Sequence, residues 1–278
     1  MNQTQIRVKG AVCLLLLAFL SGCAKKASPL PPTGGPVAVN DAVSVFTLVG
    51  HTETGRKKWE IQGETADLLG EIVQLSPVTA KSFGKTDVQL TAKQGRYHKI
   101  TQDIYLKKDV VVTTSDGIQL NTDSLKWVAR QEFGRTLDPV RVTQSGMTVT
   151  GLGGIAFPKL KRVRVERKVV VALEGKEGMT VVTCDGPMEV DYAKRKARFW
   201  RNVWVRDSKG FIRSDRMDVV LEPKENHIQE ARFWGHVRID RENQKATAQR
   251  AHYWGDPKRT RLMGHTRMVV LAEKQEVQ

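Results

Sequence analysis

Ala197-Arg-Phe-Trp-Arg-Asn-Val-Trp-Val205 recurs 34 residues downstream as Ala231-Arg-Phe-Trp-Gly-His-Val-Arg-Ile239. In both copies the side chains alternate with period two, which is the period of a β-strand. Ala197, Phe199, Val203 and Val205 share one parity, as do Ala231, Phe233, Val237 and Ile239. The other parity carries Arg198, Trp200, Trp204, Arg206, Arg232, Trp234, His236 and Arg238. One face is therefore aliphatic and aromatic, and the opposite face is basic with tryptophan. A fainter copy, Asp103 to Asp109 followed by Val110-Val-Val112, sets Ile104, Leu106, Val110 and Val112 against Tyr105, Lys107 and Asp109.

Text after two of the copies also repeats. Ser115-Asp-Gly117 precedes Asp123, and Ser208-Lys-Gly210 precedes Asp215. Gly264-His-Thr-Arg-Met268 echoes Gly235-His-Val-Arg-Ile239. One unit reads as a strand, a Gly-containing turn and a return strand, and stacked units bury faces that a lone hairpin leaves in water. Helical spacing is scarce from Val43 onward, so the expectation is an antiparallel all-β sandwich, roll or barrel. Gly151-Leu-Gly-Gly154 and Pro158 interrupt the alternation, which puts a module boundary between Gly151 and Lys168. The basic stretch Lys159 to Lys168 alternates as well and reads as an edge strand with a charged outer face. His236 and His265, each after a glycine, read as turn residues.

The N-terminus carries a different signal. Arg7 and Lys9 precede the apolar run Ala11 to Leu20, which ends in Leu20-Ser21-Gly22-Cys23. This is the layout of a secretory signal with a lipobox, and cleavage before Cys23 leaves that residue lipidated. The run is shorter than the ~20 residues that span a bilayer. Ala24 to Pro36 is rich in Pro, Gly and Ser and reads as a stalk. The expected segments are a signal peptide at 1–22, a lipidated linker at 23–42, a first module at 43–158, a second at 165–272 and a polar tail at 273–278. The net charge of +15 in an exported protein points to anionic headgroups or phosphorylated glycolipid rather than nucleic acid. Tryptophan interleaved with arginine suits a lipid–water boundary there, or simply covers the sheet.

Catalytic motifs are missing. No pair of the six histidines has zinc-motif spacing, and Cys184 has no neighbouring His or Cys. With Cys13 in the signal and Cys23 lipidated, Cys184 reads as a small packed residue. There is no Gly-x-Ser-x-Gly elbow and no Ser-x-x-Lys motif. Asp116, Asp123, Asp185, Asp207 and Asp215 sit beside turns, where an aspartate caps backbone N–H groups. The expectation is no enzyme, no metal and no cofactor.

Several stretches resemble the LptC family of the lipopolysaccharide export bridge. They are Trp59-Glu-Ile-Gln-Gly-Glu-Thr-Ala-Asp67, Leu90-Thr-Ala-Lys-Gln-Gly-Arg-Tyr97, Asp109 to Gly117, Leu120-Asn-Thr-Asp-Ser-Leu-Lys-Trp127 and Gly146-Met-Thr-Val-Thr-Gly151. The second half is similar to an LptA/OstA-type domain through Gly186-Pro-Met-Glu-Val-Asp-Tyr192, Ala197 to Val203, Ser214 to Val220 and Ala246 to Tyr253. The resemblance implies tandem antiparallel β-jelly rolls that open as a V, with acyl chains carried on the apolar inner face. It makes Ile104, Leu106, Val110, Val112, Phe199, Val203, Phe233 and Val237 the expected lipid-binding residues. It implies lipopolysaccharide, an inner-membrane LptBFG-type ABC transporter and an LptA-type periplasmic protein joined through edge strands as partners. It also implies a periplasmic, non-enzymatic bridge component, here held to a membrane, the inner one being favoured over the outer, through the lipid anchor. The lipobox and the fusion of two modules depart from the family pattern. The competing expectation is a structural envelope lipoprotein whose apolar face is only a core.

Overall fold

The computed structural model describes residues 42–270, apart from 53, 85–86, 176–177 and 222–227. The expected signal segment, Cys23, nearly all of the linker and the polar tail lie outside the described residues. The first strands are β1 (Ala42–His51), β2 (Lys57–Leu69), β3 (Ile72–Ser82), β4 (Val88–Ala92), β5 (Gln94–His98) and β6 (Ile104–Thr114). Next come β7 (Gln119–Val128), β8 (Phe133–Gln144), β9 (Met147–Phe157), β10 (Arg162–Gly175), β11 (Gly178–Cys184) and β12 (Met188–Asp191). The last are β13 (Lys196–Asp207), β14 (Gly210–Leu221), β15 (Ile228–Arg241), β16 (Gln244–Trp254), β17 (Arg259–Met263) and β18 (Arg267–Val270). A 3-10 turn, Pro158–Leu160, links β9 to β10. Among the described residues no helix is long and apolar enough to cross a membrane.

Outside three split lanes, strands adjacent in the chain pair antiparallel in one large sheet, in keeping with the expected β-jelly-roll class. In three places two short strands share one lane. β4 and β5 both lie between β3 and β6, β11 and β12 both lie between β10 and β13, and β17 and β18 both pair with β16.

The breaks coincide with bulges in neighbouring strands. Lys108 and Asp109 on β6, Arg201 and Asn202 on β13, Gly235 and His236 on β15, and Gly264 and His265 between β17 and β18 all have positive φ. The register shifts at the same points, between Lys107 and Val110, Trp200 and Val203, and Trp234 and Val237. Hydrogen bonds carry the line across lanes: Lys93 N–H donates to the Lys108 carbonyl (3.0 Å), Asp185 N–H to Arg201 (3.0 Å) and Gln249 N–H to Gly264 (2.9 Å). A non-glycine residue in this region is strained, and its recurrence in successive units marks a designed bend. Gly235, at φ 73°, sits where a Cβ would lie 2.1 Å from the Asp215 carboxylate, so the repeat uses glycine there.

Burial follows the bend. Leu106 and Val110, Phe199 and Val203, and Phe233 and Val237 flank the bulges and are buried, Val110 and Val203 at 0 % exposure. Inward residues nearer the two lines of turns, such as Val205, Ile212, Ile239, Leu221 and Tyr253, are only partly buried. The cross-section is thus a trough with a packed floor and more open walls, because the bend brings apolar faces together most closely where it is sharpest.

Two expectations are corrected. β10, which contains the basic stretch, is no edge: β9 pairs along one side of it and β11 and β12 along the other. Two of its outward charges are matched, Arg162 with Asp191 at 3.3 Å and Arg164 with Glu166 at 3.2 Å. His236 lies in a mid-strand bulge and His265 in the break between β17 and β18, not in hairpin turns.

Candidate functional site

One transverse row of inward side chains crosses the whole sheet. From β1 it runs Leu48, Ile61, Ala80, Leu90, Val112, each directly opposite the next. It continues Leu120, Val142, Val149, Val171, Val182. It ends Val205, Ile212, Ile239, Ala246 and Met268, on β18. Every position is apolar. Cross-strand neighbours stand about 5 Å apart, so the row is a continuous aliphatic track from one end of the sheet to the other.

On the other side of the bend a second row runs Leu75, Gly95, Leu106, Leu125 in the first half. It resumes as Thr136, Gly154, Val165, Met188, Phe199, Met217, Phe233, Ala251 and Leu262. Between Leu125 and Thr136 the ladder is lost, because β7 and β8 pair at Thr122–Val140 and again only at Lys126–Arg135. The buried hydroxyls of Thr122 and Thr136 hydrogen-bond there at 3.3 Å. Beside them Ser124 donates to Asp138 at 2.5 Å.

The eight expected lipid-binding residues all face inward, seven of them in two apolar clusters. Leu106 and Val110, with Ile104 packed on them, belong to the cluster of the first half. Phe199, Val203, Phe233 and Val237 belong to the cluster that begins at Val140. Val112 stands in the continuous track between Leu90 and Leu120. Reading of the repeat alone missed Val165, Val169, Val171, Met188 and Met217, which are equally buried. Their signal was the alternation within β10 and β14, already visible as Val163, Val165 and Met217 to Leu221.

The outer face of the second half is chemically opposite. One row reads Trp200, Arg216, Trp234, Arg250. The Arg216 guanidinium lies 5.7 Å from the Trp200 ring centre and 5.0 Å from that of Trp234. A second row reads Trp204, Arg213, Arg238, Thr247, Arg267, with Arg213 5.1 Å from the Trp204 ring. A third reads Arg198, Asp218, Arg232, His252, Arg261. His252 also pairs with Glu230 and stacks on Trp254 at 3.6 Å. Burial raises the Glu230 carboxyl, but Arg232 and His252 outweigh it and hold it below its ordinary range.

Burial pushes the Cys184 thiol up, away from the nucleophilic thiolate. Among the described residues no three His, Cys, Asp or Glu side chains gather to hold a metal ion. Asp191 and Asp207 accept the backbone N–H groups of Lys194 and Lys209, the turn-capping role.

A family model described as lipopolysaccharide-assembly, LptC-related, matches residues 12–174. A second, described as LptA/(LptD N-terminal domain) LPS transport protein, matches residues 186–278. No curated protein matches the chain significantly.

Proposed function

Because this chain belongs to the LptC-related lipopolysaccharide-assembly family, we propose that it accepts lipopolysaccharide from an inner-membrane LptBFG-type ABC transporter and passes it along its apolar trough. Proteins of the LptC and LptA families are periplasmic components of the transport bridge and are not enzymes. The observation that carries the finer reading is the track from Leu48 to Met268, apolar at every strand. An acyl chain exposed to water costs ~0.8 kcal/mol per CH₂. A carrier must therefore cover the chains at each step, and a single polar lane would stop them.

The track reaches both ends of the sheet. Among the described residues β1 pairs only with β2, and β18 only with β16. Met268, Val269 and Val270 are 54 %, 57 % and 68 % exposed. Such edges accept a further strand through main-chain hydrogen bonds. In this reading an LptA-type module adds at one edge and continues the track. Lipidation of Cys23 holds the chain at a membrane, the inner one in this reading, and mass spectrometry of the purified N-terminus tests it. The eight inward residues named from the sequence form the lining with the track, and the modules at 43–158 and 165–272 each bear part of it.

The packed floor favours a second reading, a structural envelope lipoprotein with an ordinary core. Photo-crosslinking decides between them. Probes at Val112, Val205 and Ile239, on the more open wall, should capture lipopolysaccharide in cells, while probes at Lys107 and Arg238 should not. Equal labelling of both sets overturns the groove, and capture at neither favours the structural reading.

A further inference from the structure

The tryptophan–arginine face of β13–β18 plays no part in the trough, since it points the other way. We propose that this face docks on an anionic lipid bilayer, so that the second half of the sheet lies against a membrane surface while its opposite face carries the track. Three observations carry this. The three outer rows hold eight arginines and one carboxylate, Asp218. Among the described residues, no carboxylate pairs with Arg213, Arg250 or Arg261. The indoles of Trp200, Trp204 and Trp234 are partly buried beneath guanidinium groups rather than sunk in a core.

The combination fits a bilayer surface better than a small anion. Indole prefers the boundary where one edge meets hydrocarbon and the other meets water. Guanidinium forks bind lipid phosphates in pairs. Five lanes at about 4.8 Å spacing make the rows roughly 20 Å wide, far broader than one phosphate. The first half does not share the property: residues 43–158 contain 14 basic and 12 acidic residues, against 26 and 15 in residues 159–272.

The test uses the full-length chain with vesicles of phosphatidylcholine, alone or mixed with phosphatidylglycerol, each containing acyl-brominated lipid as a tryptophan quencher. Quenching should be markedly stronger in the anionic vesicles and should fall to the zwitterionic level at high salt. Trp200→Phe with Trp234→Phe should remove most of the anionic-dependent part. Arg213→Gln with Arg250→Gln and Arg261→Gln should weaken docking about a hundredfold, each cation being worth about fivefold near an anionic surface. Lys81→Gln with Lys107→Gln and Arg141→Gln, an equal charge loss in the first half, should leave it unchanged. Equal quenching in both vesicle types, insensitivity to salt, or equal loss in the two triple variants would each overturn the proposal. The wild-type comparison and salt series decide the matter even if the arginine variant fails to fold. Inorganic phosphate that abolishes the effect at constant ionic strength would show a site for single phosphates instead, and would also overturn it. The trough is not involved, so failure here leaves the crosslinking test of lipopolysaccharide carriage untouched.

Discussion

The first and second halves of the sheet use the same hairpin lanes and the same line of bulges, yet they differ in what each face holds. Among the described residues, seven buried apolar side chains make the cluster of the first half, and eighteen make the cluster that starts at Val140. At the junction the ladder between β7 and β8 opens, and the floor changes from leucine to threonine and glycine. The second half pairs long strands over nearly their full length and loads its outer face with arginine and tryptophan. The continuous track is common to both. On the proposed reading, lipid carriage needs only one uninterrupted row, which leaves core density and outer chemistry free to differ along the sheet.

The largest expected effect comes from a charge on the floor. Val203→Asp should destabilise by more than about 4 kcal/mol, because it buries an unpaired carboxylate in the denser cluster. A urea titration should show a lost or far earlier transition; a variant that melts near wild type would mean that the floor opens to water. Val110→Asp makes the same change in the sparser cluster, and its midpoint ranks the two floors directly.

Phe199→Ala should cost about 3–5 kcal/mol and Leu106→Ala about 2–5 kcal/mol. Amide exchange read strand by strand should rise first in β13–β16 for Phe199→Ala and first in β2–β7 for Leu106→Ala. A uniform rise through the sheet in either variant would make the two halves one cooperative unit and dissolve the distinction. The same pattern tests the module boundary expected at 158–165.

The junction predicts a smaller change. Thr122→Val with Thr136→Val removes both partners of a buried hydrogen bond, but it also removes the hydroxyl that accepts from the Asp138 N–H at 3.1 Å, so stability should fall by about 1–3 kcal/mol. Thr136→Val alone leaves the Thr122 hydroxyl without this bond and should be the less stable of the two. The reverse order would show that the hydroxyls do not rely on each other.

The smallest effect is electrostatic. Glu230 titrates below its ordinary value of 4.5 because Arg232 and His252 favour the carboxylate. Its contribution is complete above pH 4.5 and fades as pH falls through the lower folded value. The Tm gap between wild type and Glu230→Gln should therefore narrow on acidification below pH 4.5, and a gap that widens would reverse the sign of the shift.

Much of this was legible beforehand in the residues themselves. Alternation in Ala197 to Val205 named the inward side chains, since the pleat sends successive side chains to opposite faces whatever the neighbours are. It also named the basic outer face. The bulge was present in the text as the variable pair inside each repeat, Lys108-Asp109, Arg201-Asn202, Gly235-His236 and Gly264-His265, but its meaning was not. Two residues of positive φ leave no mark on hydrophobic period, and parity is kept across them, so His236 read as a turn.

Strand character, the repeat and the sidedness of the sheet are all written in the order of residues, because each depends on local alternation. Pairing of β10 on both sides, alignment of the bulges into one bend, and the single track from Leu48 to Met268 emerge only when the strands are assembled. Those depend on which backbone groups meet across lanes. An outer face of lysine and arginine looks the same on an edge strand as on an interior one, since hydrogen bonding lies in the plane of the sheet and side chains stand perpendicular to it.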